Sequence, residues 1–268
     1  MPEKRPIPLT GEDTIEDHPQ LGKYIDNFPS RRLRALLMGW SFLIGLGLLV
    51  NLAFWNSDAA WVGPVVIIGI AIIALVVGWW IMHQWNREVI VYERGFTYRE
   101  GSEDVPFVFA EVQTLRLRAE RLTYLGGLFR RTVYHVTIST VGGDRIVLDN
   151  TYNSIDRLTD RLTEAVNTAL RPRIRYSLQQ GHSVAFGEAI TLTADGIRVE
   201  GVPTDAAPDG TVLPWHDFSG YRVEKGQLLL LTGGELVWFA QPLAEIDNLT
   251  LLVEWLQTHQ TSAQEASA

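Results

Sequence analysis

The chain has 268 residues, 46% of them hydrophobic, with 23 basic and 31 acidic side chains, a formal net charge of -8 and no cysteine. The lack of cysteine excludes disulfide scaffolds, thiolate nucleophiles and cysteine-ligated zinc or iron–sulfur sites. An acidic surplus argues against nucleic-acid binding, which usually leaves a basic footprint. A mean hydropathy of +0.04 beside so many charges means that the apolar residues are gathered in one place.

Residues 1–30 show no apolar periodicity and mix both signs of charge, so they read as a mobile cytoplasmic tail. Within it, Leu21-Gly22-Lys23-Tyr24-Ile25 is a candidate short element. Residues 31–86 then hold the apolar mass. Ala35 to Trp55 and Trp61 to Met82 carry no charge. At about 1.5 Å per residue, each reaches roughly the 30 Å of a hydrocarbon core. The link between them, Asn56 to Ala60, can only turn the chain back, which predicts an antiparallel transmembrane hairpin. Trp40, Trp55, Trp61, Trp79, Trp80 and Trp85 cluster near the span ends, where amphipathic aromatics prefer the interface.

Arg31, Arg32 and Arg34 precede the first span and Arg87 follows the second, whereas the turn has only Asp58. The positive-inside rule therefore puts both termini in the cytoplasm, as in a multi-pass protein of the cell (inner) membrane. A signal peptide cut after Ala59-Ala60 would need an n-region of more than 30 residues, partly acidic, which fits poorly. Gly39, Gly45, Gly47, Ala74 and Gly78 are small enough for close helix packing. No Asp, Glu, Lys or Arg lies mid-span, so the hairpin reads as an anchor and not as a pore or proton relay.

From Arg87 onward, short alternating runs broken by Gly, Asn and Asp predict strands. They also repeat. Val89–Arg99 lines up with Ile190–Glu200, each turning at a glycine, Gly95 or Gly196. Phe107–Val112 matches Leu213–Phe218, and Gly142-Gly143 matches Gly233-Gly234, where paired glycines suit a tight hairpin. Each copy ends in an amphipathic helix. The first is capped by Ser154 and carries Ile155, Leu158, Leu162, Val166 and Ala169 on one face; the second carries Ile246, Leu249, Val253 and Leu256. Two small β modules, each closed by one C-terminal helix, account for this pattern.

The second copy carries the stronger resemblance. Gly181, Val184-Ala-Phe186-Gly187, ADGI at 194–197, LPWHDF at 213–218, KGQLLL at 225–230 and EIDNLTLLVEWL at 245–256 together resemble an uncharacterised bacterial family of membrane-anchored proteins with tandem pleckstrin-homology-like (PH-like) domains. The resemblance spans roughly residues 87–258 and implies a fold without an assigned chemistry. The expected architecture is a membrane-anchored α+β chain: a transmembrane hairpin, a PH-like module over 87–171, a second over 172–260, and a disordered tail over 261–268. Two departures stand out in the first copy. Val-Pro-Phe-Val-Phe replaces Leu-Pro-Trp, and the loop from Ala119 to Arg131 is enlarged.

Chemistry-bearing patterns are few. His216 and Asp217, adjacent on a predicted strand, point to opposite faces and make no acid–base pair. No HxxxH, HxH or carboxylate cluster suggests a metal, and no phosphate-binding glycine loop occurs, so neither metal nor cofactor is expected and no catalytic residue is named. Arg116, Arg118, Arg121, Arg130 and Arg131 surround the apolar Leu122–Phe129 stretch, an arrangement suited to anionic lipid headgroups. Residues 87–171 carry 12 basic and 12 acidic side chains, residues 173–268 only 5 against 12. The second module is therefore expected to face away from the bilayer. The leading expectation is a non-enzymatic membrane-tethered scaffold for a cytoplasmic protein partner; headgroup binding by the first module is the alternative, and an enzyme the least supported.

Overall fold

A strand stands ahead of the apolar helices, where a tail was expected. The computed structural model describes residues 17–54, 62–101, 103–124, 129–200 and 210–267. In it β1 (Tyr24–Pro29) leads directly into α1 (Arg32–Phe54), α2 (Val62–Trp85) follows, and β2 (Glu88–Tyr92) returns to pair antiparallel with β1. Phe28 is fully buried against Val89, its partner in the register. Residues 24–29 thus belong to the first module, and the helical pair is inserted between its first two strands. Residues 1–16 lie outside the described residues.

The rest of that module is a meander. β3 (Gly95–Glu100) and β4 (Glu103–Val108) complete a four-stranded sheet in the order β1-β2-β3-β4. A short 3-10 turn at Phe109–Glu111 leads to β5 (Val112–Tyr124), β6 (Phe129–Thr140) and β7 (Arg145–Asp149), which form a second, three-stranded sheet. The expected loop from Ala119 to Arg131 is instead mostly ribbon. β5 and β6 stay in register out to Tyr124↔Phe129, beyond the reach of β7, which pairs only with His135–Ser139. α3 (Ile155–Gln179) closes the module, burying Ile155, Leu158, Leu162, Val166, Leu170 and Ile174 along one stripe.

The second module repeats the plan. β8 (Val184–Ala185), β9 (Ile190–Leu192), β10 (Gly196–Val199) and β11 (Val212–Pro214) form the four-stranded sheet. β12 (Phe218–Glu224), β13 (Gln227–Thr232) and β14 (Leu236–Pro242) form the three-stranded one, and α4 (Leu249–Ser267) closes it. The repeat read from the sequence holds to the atom. A Cβ on Gly95 would lie 2.1 Å from the Phe107 carbonyl oxygen, and one on Gly196 would lie 2.1 Å from that of Leu213. Phe109 N–H donates to the Arg94 carbonyl at 3.0 Å, just as Trp215 N–H donates to that of Asp195 at 3.1 Å.

Other expectations need correction. The boundary placed between residues 171 and 172 falls inside α3, which runs through Pro172 because Ile174 continues the buried stripe. α4 reaches Ser267, so the tail expected at 261–268 is largely helical. Ser154 precedes α3 in a left-handed conformation (φ 49°) and makes no side-chain capping bond. Of the turn glycines, Gly233 and Gly234 both have positive φ, but in the other pair only Gly143 does. In the helical hairpin, Gly39 does bring the helices close, since a Cβ there would lie 2.5 Å from Ile81 Cδ1; Gly45, Gly47 and Gly78 have no such neighbour within 4 Å.

The repeat predicts matched sensitivity. Gly95→Ala and Gly196→Ala should each lower stability by about 1–3 kcal/mol through overpacking against a strand carbonyl. Gly78→Ala, in open space on a helix, should be neutral or slightly stabilising. Denaturant midpoints of the detergent-solubilised chain, followed by tryptophan fluorescence, test this; an unshifted midpoint for Gly196→Ala would contradict the packing argument.

Candidate functional site

Two places in the fold concentrate polar contacts, and the first is the base of the helical hairpin. Ser30 and Arg31 connect β1 to α1, and both are tied down. Ser30 N–H donates to the Arg87 carbonyl at 2.9 Å, Arg31 N–H to that of Thr151 at 2.7 Å, and Arg31 Nε to that of Tyr152 at 3.2 Å. The returning leg is held by Glu100 at the end of β3. Its carboxylate accepts from Arg87 and from the Tyr98 hydroxyl (2.9 Å), and lies 3.1 Å from His83 Nε2 on the last turn of α2. Burial alone would push the Glu100 carboxyl up, but the Tyr98 hydroxyl, Arg87 and His83 outweigh it and hold it below the usual range. Nearby, burial and then Tyr98 push the Tyr152 phenol up, so it stays neutral. Arg32 sits over the Trp85 ring at 5.7 Å, joining the start of α1 to the end of α2.

The second place is the joint between the modules. β5 is an edge strand, and an open edge invites pairing. Here Asp247-Asn248, just before α4, takes that edge. Asn248 N–H donates to the Leu115 carbonyl at 2.8 Å, its Oδ1 accepts Leu115 N–H at 2.9 Å, and its Nδ2 donates to the Gln113 carbonyl at 3.2 Å. One residue thus stands in for a strand. Its left-handed backbone (φ 50°) is one that asparagine tolerates better than most residues. Arg116 Nε donates to Asp247 at 2.7 Å, and Arg171 of α3 clasps Glu254 of α4 at 2.8 and 2.9 Å. One buried apolar cluster runs through both modules, from Phe28 to Leu256.

Of the arginines singled out from the sequence, Arg116 and Arg118 have described side chains, and both engage acidic residues. Arg116 belongs to the joint through Asp247, and Arg118 pairs with Glu120 on its own strand. The backbone register sets Arg121 opposite Thr132 and Arg130 opposite Thr123, one position out of phase with Arg116, Arg118 and the Leu122↔Arg131 pair. The side chains of Arg121, Arg130 and Arg131 lie outside what the structure describes.

Trp215-His216-Asp217 lies in the turn between β11 and β12 and not on a strand, so the opposite-faces argument does not apply. His216 Nε2 and Asp217 Oδ2 approach to 3.6 Å, both well exposed at the surface. Trp215 packs inward. Its Nε1 donates to the Ala194 carbonyl at 3.1 Å, and its ring stacks on His259 of α4 at 3.8 Å. Among the described residues, no group of three or more His, Asp or Glu is placed to hold a metal ion.

A profile of a family of unknown function, DUF6585, matches residues 12–265. The chain belongs to this family. The match includes β1, the helical hairpin and both modules, so the inserted helices lie within what defines the DUF6585 family and are not an appendage to it. No curated protein matches the chain.

The role of Asn248 and the hairpin base were missed from sequence because both depend on partners far along the chain. Two measurements check them. Asn248→Ala should cost about 1–3 kcal/mol by stranding the buried Leu115 N–H of β5, and should speed amide exchange at Leu115 selectively. The Glu100 carboxyl is lowered in the folded state, so its contribution is present above the ordinary carboxylate pKa and is lost as pH falls through the lowered folded value. Stability of the wild type should therefore fall more steeply than that of Glu100→Gln below about pH 4.5. The difference should stay under about 1 kcal/mol, since the carboxylate is more than a third exposed. Parallel acid-side curves would contradict this.

Proposed function

We propose that the protein is a membrane-anchored scaffold, in which a two-span hairpin holds two PH-like modules at a fixed attitude on the cytoplasmic face of the cell membrane. The observation that carries this reading is the place of the hairpin. It leaves from β1 and returns to β2 of the first module through short, hydrogen-bonded connections, so the modules are mounted on it without a flexible tether. The helices are long and apolar enough to cross a membrane, and their most apolar windows are 6% and 0% buried. A core helix of a soluble protein would be covered by the rest of the fold. A cleaved signal peptide is disfavoured too, because cleavage after the first span would remove β1 and its buried Phe28.

Four plus three antiparallel strands closed by a C-terminal helix, twice over, is the arrangement expected of PH-like modules and supports that assignment. Arg31, Arg32, Arg34 and Arg87 all stand at the module end of the helices, with Asp58 between the spans, which favours a cytoplasmic position for the modules. The second module, with 5 basic against 12 acidic residues over 173–268, suits a basic surface on a protein partner. The reading gives the protein no catalytic role.

A chain without cysteine makes the test direct. Asp58→Cys between the spans and Glu235→Cys in the β13–β14 turn are labelled in intact cells with a membrane-impermeant maleimide. The proposal expects label at position 58 alone, with position 235 reacting only after the membrane is opened. Label at 235 in intact cells, or a chain that washes off membranes with carbonate, would overturn it. For the partner, proteins retained by the detergent-solubilised chain should be basic and should be released as salt is raised.

A further inference from the structure

Where the two helices leave the first module, a cavity of about 330 Å³ opens between the start of α1, the end of α2 and the outer face of β6. Its lining changes character along the helix axis. Met38 and Trp80, farther along the helices, are apolar, whereas Arg31, Arg34 and His135 line the end nearest the module. Arg31 is held in place through Nε, a hydrogen bond that uses neither of its terminal nitrogens. Among the lining residues the acid is Asp149, whose Oδ1 already accepts Thr151 N–H at 2.8 Å. Gln84 of α2 also lines the cavity, and its Oε1 is buried with no hydrogen-bond partner.

An unpartnered buried acceptor is costly. In a cavity that also presents cations, it calls for a ligand that is anionic yet carries a donor. The volume sits at the lower end of the roughly 300–1,000 Å³ usual for small-molecule sites, enough for a headgroup and not for a whole lipid. The level is that of the bilayer interface, marked by Trp80 and by Trp85 under Arg32. We propose that this cavity holds the headgroup of an anionic phospholipid that carries hydroxyl groups. The phosphate lies against Arg31 and Arg34, a headgroup hydroxyl donates to Gln84 Oε1, and the first part of an acyl chain runs along Met38 and Trp80. The site is separate from the β5–β6 arginines discussed above, and it rests on the membrane reading of the hairpin.

The test uses the full chain in nanodiscs of phosphatidylcholine containing a minor fraction of phosphatidylglycerol, with the retained lipids counted by native mass spectrometry. Phosphatidylglycerol should be enriched on the wild type over its share of the disc. Arg34→Glu should reduce that enrichment roughly tenfold, since it removes one cation and adds a repulsive charge. Arg34→Gln and Gln84→Leu should each reduce it several-fold, and these milder changes carry the test if the charge reversal disturbs folding. Arg161→Glu, on α3 and lining a different cavity, should leave retention unchanged. Equal retention of both lipids, or enrichment indifferent to Arg34 and Gln84, would overturn the site. So would displacement of the lipid by millimolar inorganic phosphate, which would mark a solute site instead. A chain that does not enter the discs overturns the membrane reading and the site together; one that enters but keeps no phosphatidylglycerol overturns the site alone.

Discussion

Everything in the first module is built around one geometric demand: a pair of long apolar helices must leave from and return to neighbouring strands. Antiparallel neighbours in a sheet lie about 4.8 Å apart, whereas packed helices sit about 8–10 Å apart. The chain must therefore splay at the base of the hairpin, and it does so in the short links on either side. The links would expose backbone groups if left alone. Instead Ser30 bonds across to Arg87, Arg31 to residues 151 and 152, and the Pro29 carbonyl accepts Asn153 N–H at 2.9 Å. On the returning side Glu100 collects Arg87, Tyr98 and His83. The close approach of the helices at Gly39 comes within the first turns of α1, near the same base.

The joint between the modules solves a different problem of the same kind. An edge strand as long as β5 is a template for unwanted pairing. Covering it with Asp247-Asn248 blunts that edge and fastens the second module to the first in one step. The ion pairs there, Arg116–Asp247 and Arg171–Glu254, are partly exposed and add modestly; the buried hydrogen bonds of Asn248 and the shared apolar cluster carry the attachment. α3 contributes as well, because by running on through Pro172 it reaches β8 of the second module. The modules are thus one body in contact terms, although the sequence reads as a tandem.

What could be read from the sequence was what repeats or what is uniformly apolar. Gly95 and Gly196 stood out because each sits at a turn followed by an alternating run, and the structure explains them by the same carbonyl at the same distance. The hairpin needed only length and lack of charge. β1 was hidden for a physical reason: its partner β2 lies beyond the whole helical insertion, and within β1 only Phe28 is fully buried, so no local alternation announces a strand. Asn248 was hidden by its role, since a side chain that replaces a strand leaves no periodic trace. The arginine group was legible as charge, but the pairing of Arg116 with Asp247 across the joint was not, because the two lie far apart along the chain.

The two copies meet the same structural question at the first turn of the sheet and answer it in opposite ways. In the second module Phe186 N–H donates to the Ile190 carbonyl, just as Phe28 pairs with Val89 in the first, and both phenylalanines are fully buried. After Phe186 comes Gly187, whose positive φ (96°) lets the chain turn at once and tuck under Glu245, where a Cβ would lie 2.6 Å from the carbonyl oxygen. After Phe28 comes Pro29, which has no N–H to donate and a fixed φ, and the chain leaves the sheet. The last residues before the closing helices match as well. Ser154 and Asn248 share a left-handed backbone, and Asn153 and Asp247 stand beside the two departing points. A tight turn and a long helical excursion therefore occupy one position in one plan. That is why the insertion leaves the first module intact: it replaces a turn at the rim, where the sheet has only to receive the chain back beside the strand it left.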